Sequence, residues 1–146
     1  MNKIIIVLLA LTICSCKGNE PTVKDQKAAT STPSCSPIKV IEGAYPSVKG
    51  NGMTINSQKI ENNCLVLNVS YHGCKDITFN LLWNKMVKKS MPAQTSLYLE
   101  KIETTGHCHE DNQTELRFDL NALNSKTYGG KISLDVNGGE GILFEF

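Results

Sequence analysis

An all-β fold is predicted, an antiparallel β-sandwich of immunoglobulin-like size, and three observations predict it. After Pro37 the chain breaks into short runs of apolar and β-branched residues; Gly, Asn and Ser punctuate them; and about 109 residues remain, room for seven or eight short strands. A small β-barrel satisfies the same pattern and is the alternative.

The strongest strand is 65–71, where Leu65, Leu67, Val69 and Tyr71 share one face because side chains alternate along an extended backbone. Residues 77–83 form the next, with Ile77, Phe79 and Leu81 on one side. In 96–104, Leu97 and Leu99 face one way while Tyr98 and Glu100 face the other, and Leu116 to Leu120 repeats the arrangement. The final runs, 131–136 and 142–146, are joined by Asn137-Gly138-Gly139-Glu140-Gly141, residue types suited to positive φ and so to a hairpin. Weaker strands are expected near 38–42 and 52–61, and 84–91 and 121–125 each suit a helical turn.

The chain of 146 residues has room for one domain and none for a second catalytic one. Its formal charge of +1 provides no global excess to grip a polyanion, so no nucleic-acid partner is expected. Six Cys in so short a chain suit an oxidising compartment.

Residues 1–15 read as a signal peptide: Lys3 supplies a positive start, and Ile4 to Ile13 an apolar stretch too short to span a bilayer as a helix, which takes ~20 residues. The sequence Ile13-Cys14-Ser15-Cys16 resembles a bacterial lipobox, an aliphatic residue and two small ones before the Cys that is lipidated. That resemblance makes Cys16 the acylated first residue of the mature chain, anchored in the cell envelope, with the outer membrane as the expected membrane. Cleavage removes one Lys and no acid, leaving 131 residues with 14 basic and 14 acidic groups. Residues 16–37 then form the lipidated N-terminus and a flexible tether, since Val23 is their only large aliphatic side chain, and residues 38–146 the sandwich domain.

The stretch Tyr71-His72-Gly73-Cys74, with Phe79, Trp83, the distant Cys108, and Phe118-Asp119-Leu120 with Leu123, resembles a family of bacterial lipoproteins of uncharacterised function. The resemblance covers roughly residues 60–146 and supplies no activity. The family pattern carries His where this chain has Ile77, a departure that weakens any borrowed metal role.

Four thiols remain beyond Cys16, and Cys35, Cys64, Cys74 and Cys108 allow three pairings. Cys74 with Cys108 is favoured, since both stand at strand-end or loop positions within the part that resembles the family. Cys35 with Cys64 is then left, stapling the end of the tether to the domain.

All three His, at 72, 107 and 109, lie within two residues of Cys74 or Cys108, with Glu110 and Asp111 nearby. The plainer reading of 107–112 is a solvated polar loop. The alternative is a zinc or copper site built on His72, His107 and His109, or on the two thiolates, since imidazole and thiolate suit those metals. No cofactor is expected.

Weaker signals reduce to turns. Asp135, Asn137 and Glu140 resemble part of a calcium loop but lack its twelfth-position carboxylate, and a hairpin explains them better. Lys85, Lys88 and Lys89 flanking Met86 and Met91 suit a solvated turn, with a contact patch for an acidic partner as the other reading. No nucleophile motif or phosphate-cradling loop is present, so enzymatic function is not expected. The reading favoured is a non-enzymatic envelope lipoprotein that binds a protein or glycan partner or serves a structural role; the alternative is a metal-binding lipoprotein.

Overall fold

The computed structural model describes residues 34–46, 52–103, 108–124 and 126–146, all within one unit spanning Thr32–Phe146. The signal peptide, Cys16, the tether before Ser34, and His107 lie outside the described residues. The described residues of this unit form ten strands: β1 Ser36–Pro37, β2 Lys39–Val40, β3 Met53–Glu61, β4 Cys64–Gly73, β5 Ile77–Trp83, β6 Val87–Lys88, β7 Ala93–Glu103, β8 Glu110–Asp119, β9 Lys131–Val136 and β10 Ile142–Glu145. They form two mixed sheets, neither closed into a barrel: β1-β8-β4-β3, and β10-β9-β7-β5-β2 with β6 also pairing β7.

Alternation in the sequence becomes burial in the core. Leu65, Leu67 and Val69 of β4 join Leu81 of β5, Leu97 and Leu99 of β7 and Leu134 of β9 in one apolar cluster, each essentially inaccessible to water. Fully burying such a side chain is worth about 1.5–3 kcal/mol. The outer face of the first sheet is polar. There the Asn56 amide donates to Asn68 Oδ1 and Ser70 Oγ, and Gln113 donates to Asn68 Oδ1. Val66 is an exception on that face: it lies directly between Lys59 and Arg117 in register and is buried, as expected where long basic stems lie over an apolar neighbour.

The expectation of a wholly antiparallel sandwich is corrected by three parallel pairings, β1 with β8, β2 with β5 and β7 with β9. The first two arise from one event. The chain pairs with the first sheet at Ser36–Pro37, passes buried Ile38 into the core, and pairs with the second sheet at Lys39–Val40. Pairing thus begins at Ser36, inside the segment expected to be tether.

Two turns follow their residue types. Asn62 and Asn63 take φ of 49° and 62° in the two-residue loop between β3 and β4, and Asn137 and Gly138 take 54° and 73° at the expected hairpin between β9 and β10. A 3-10 turn, Leu120–Leu123, stands where a helical turn is expected and is capped by the Asp119 carboxylate, which accepts from the Asn121 N–H. The helical turn expected over 84–91 does not form. Lys85 has φ 60°, and β6 pairs with β7 instead.

Candidate functional site

The chain between β5 and β7 builds one wall of a largely apolar cleft. β5 runs along β7 to the pair Leu82–Tyr98, and pairing resumes at Val87–Thr95, so four residues, 83–86, oppose two, 96 and 97. This double insertion is pinned by side chains, because its residues have lost their ladder partners on β7. Buried Thr95 accepts from Trp83 Nε1 at 2.9 Å and donates to the Met86 carbonyl at 2.8 Å. Asn84 Oδ1 accepts from the Met86 N–H at 3.1 Å.

Below the bulge lies a cleft of about 800 Å³, walled by the β6–β7 turn on one side and by residues 127–131 on the other. Val87, Pro92, Ala93 and Tyr128 give it apolar surface, and Met91 stands fully exposed at its rim. Lys88, Lys89 and Lys131 line it as well. Residues 84–93 and 126–131 together carry five Lys and neither Asp nor Glu. None of the five forms an ion pair with a described residue, whereas Lys59, Lys75, Lys101 and Arg117 all do. The acid nearest by register is Glu145, opposite Lys131. A chain of nearly balanced charge therefore gathers lysines at one cleft, three of them in its lining, with Glu145 facing Lys131 alone.

A second cavity of about 300 Å³ adjoins the first through Val87 and Lys88. Tyr45 borders it, stacked on Tyr98 at 5.8 Å between ring centroids. Its hydroxyl donates to the Ser96 carbonyl and accepts from the Asn84 N–H at 3.2 Å. Burial pushes the Tyr45 phenol above its ordinary pKa, against the opposing pull of the Asn84 hydrogen bond. Across the cavity, Asp135 accepts from Ser96 Oγ of β7 at 2.7 Å and from the Gly138 N–H of its own hairpin at 3.0 Å, so both oxygens of the carboxylate in the supposed calcium fragment have protein donors.

Cys74, Cys108, His72 and His109 gather at the other end of β7, about 33 Å away at ~3.3 Å per residue from Ala93 to Glu103, while Cys35 and Cys64 lie at the opposite end of β4. Cys74 is bonded to Cys108, and Cys35 to Cys64. The first bond ties the β4–β5 connection to the start of β8; the second fixes the N-terminal entry beside the first residue of β4. His72 and His109 stack with centroids 5.8 Å apart, and His72 Nδ1 lies 3.0 Å from Asp111 Oδ1. Lys101 donates to the His72 carbonyl at 3.0 Å and pairs with Glu103 at 2.8 Å. No group of three His, Cys, Asp or Glu among the described residues is arranged to hold a metal, and both Cys expected as alternative thiolate ligands are disulfide-bonded.

Lys88, Lys89 and Met91, which the sequence suits to a solvated turn, thus form part of one wall of the cleft. The opposing wall of Tyr128 and Lys131 is invisible to local reading, although the acid-free lysine runs in both segments are a signal.

No family model matches the sequence, and no curated protein matches it. A solved structure of a protein of unknown function, DUF1344 from Bacteroides vulgatus, is similar at 17% identity with a TM-score of 0.46. The match covers 77% of this chain and 56% of that one, so the chain spans little more than half of the solved protein's length.

Proposed function

We propose that the chain is a membrane-anchored bacterial envelope lipoprotein, acylated at Cys16, whose domain is a non-enzymatic binding module using the cleft beside β6. The lysine-rimmed apolar cleft carries the binding role, since small-molecule and partner sites are concave, largely apolar and fitted with a few polar groups. The Ile13-Cys14-Ser15-Cys16 sequence supports the anchor, as does its resemblance to bacterial lipoproteins. Two disulfides in one small domain support export to an oxidising compartment.

Two measurements test this reading. Cys16→Ala is expected to abolish incorporation of radioactive palmitate; undiminished labelling of that variant overturns the anchor. A photocrosslinking residue at Met91 is expected to form an adduct in the native envelope, whereas one at Val40, also exposed and apolar but on β2, is expected to form none. Equal labelling at both positions, or none at Met91, overturns the binding role of the cleft.

A further inference from the structure

We propose that the ligand of the cleft is a single anionic amphiphile, its acyl chain lying on Val87, Ala93 and Tyr128 and its acid headgroup meeting Lys88, Lys89 and Lys131. This rests on reading the cleft as a binding site. The chemistry follows from charge and shape together. Three ammonium groups outside every ion pair of the described residues, Lys131 alone facing a carboxylate, Glu145, across its strand pair, leave a positive field over an apolar cleft, and a ligand that supplies an anion while covering the apolar surface satisfies both. A volume of about 800 Å³ suits one small molecule. Met91, unbranched and fully exposed at the rim, can fold over chains of different length.

An extended acidic peptide fits less well. Strand addition needs a run of free backbone groups, and β6 offers two residues. A bilayer surface fits less well too, because a flat sheet of headgroups cannot follow a concave wall. A free fatty acid and a lysophospholipid share the required chemistry and are separated by experiment.

The test uses unacylated residues 17–146, secreted so that the disulfides form, titrated with dansyl-undecanoate. Saturable fluorescence enhancement is expected, with displacement by saturated fatty acids tightening about fourfold per added methylene until the cleft is filled. The matching alcohols are expected to compete at least tenfold more weakly. Lys88→Gln/Lys89→Gln/Lys131→Gln should erase that preference for acids without moving Tm, since all three side chains are solvent-facing, and Ala93→Phe should weaken acids and alcohols alike. Stronger displacement by lysophosphatidylglycerol than by fatty acids would assign the headgroup to a phospholipid, and the reverse to a free fatty acid. Absence of saturable binding to the wild-type chain, or equal competition by acids and alcohols, overturns the proposal. Binding confined to phosphatidylglycerol vesicles or to an acidic peptide overturns it as well. A Met91 adduct in the envelope beside a negative titration removes the ligand class and leaves the binding module standing; failure of both removes the module itself.

Discussion

The indole N–H of Trp83 and the hydroxyl of Thr95 meet at 2.9 Å in the interior of the second sheet, and the hydroxyl in turn donates a hydrogen bond to the Met86 carbonyl at 2.8 Å. Thr95 is the only residue type of its size and shape that both accepts and donates there, so it ties the end of β5 to the bulge that leads into β6. Thr95→Val keeps the shape and orphans both partners. The expected cost is about 1–3 kcal/mol in a urea melt, the range for leaving buried polar groups unsatisfied. A change within about 0.5 kcal/mol, the scale of neutral surface substitutions, would show that the relay holds nothing in place.

The same link positions one wall of the cleft, so Thr95→Val should also weaken dansyl-undecanoate binding at temperatures where the variant is fully folded. Thr54→Val, on exposed β3 and remote in register from β6, is the control, expected to leave binding unchanged. Equal loss in both variants would separate the relay from the cleft.

Much of this architecture is legible in the sequence, and what is not has a physical reason. Leu65, Leu67 and Val69 announce their strand because a period of two puts them on one face, and Asn137-Gly138 announces its hairpin because both must take positive φ. The parallel pairings are not legible. Whether Ser36–Pro37 pairs with β8 and Lys39–Val40 with β5 is decided by the burial of Ile38 between sheets built from residues far along the chain. Nor is β6: its local pattern suits a helical turn, and the hydrogen bonds that the Met86 backbone makes, accepting from Thr95 and donating to Asn84 Oδ1, override that preference. The site is half legible. Lys85, Lys88 and Lys89 stand out with Met86 and Met91, but the wall that Lys88, Lys89 and Met91 share the cleft with lies some forty residues away in sequence, at Tyr128 and Lys131.

Acid should weaken the fold through two exposed carboxylates. A hydrogen bond from Lys59 holds the Glu61 carboxyl below its ordinary value, helped by the charges of Lys59 and Arg117, and Lys101 does the same for Glu103. A carboxylate whose folded pKa is depressed adds stability that is full above the unfolded value and is lost as pH falls through the folded one. Stability should therefore decline from about pH 4.5 downward through the lowered folded values, with a small amplitude because both groups are solvent-screened. Glu61→Gln/Glu103→Gln should flatten that limb of the urea midpoint against pH; an unchanged slope would assign it to other groups.

The histidines at the far end of β7 should be silent. His72 meets Asp111 on an exposed face and stacks on His109, an arrangement whose solvated groups add little net stability. Changing His72, His107 and His109 together to Asn is expected to alter stability by no more than about 0.5 kcal/mol, with or without zinc. A zinc- or copper-dependent rise in Tm that vanishes in the triple variant would reverse this, since a metal bound only by the native state must stabilise it.

The two disulfides should dominate the response to reductant. Cys35–Cys64 and Cys74–Cys108 close loops of 29 and 34 residues in sequence separation. Restricting an unfolded chain over loops of that size is worth about 3–4 kcal/mol for each bond on chain-entropy grounds. In a domain of this size, with a total stability of about 5–15 kcal/mol, either loss is substantial. The two losses should also act in different places. Cys35→Ser/Cys64→Ser frees the entry of the chain, so amide exchange should rise first around Ser36–Val40, where only two short parallel pairings hold the backbone. Cys74→Ser/Cys108→Ser frees the β4–β5 connection and the start of β8, so exchange should rise there while Ser36–Val40 stays protected. Peptide mapping without reduction is expected to recover the two linked pairs and no crossed product. Free thiols at Cys74 and Cys108 in protein taken directly from the envelope would contradict the pairing, and uniform exchange in both double variants would show that each bond stabilises the whole domain instead of its own segment.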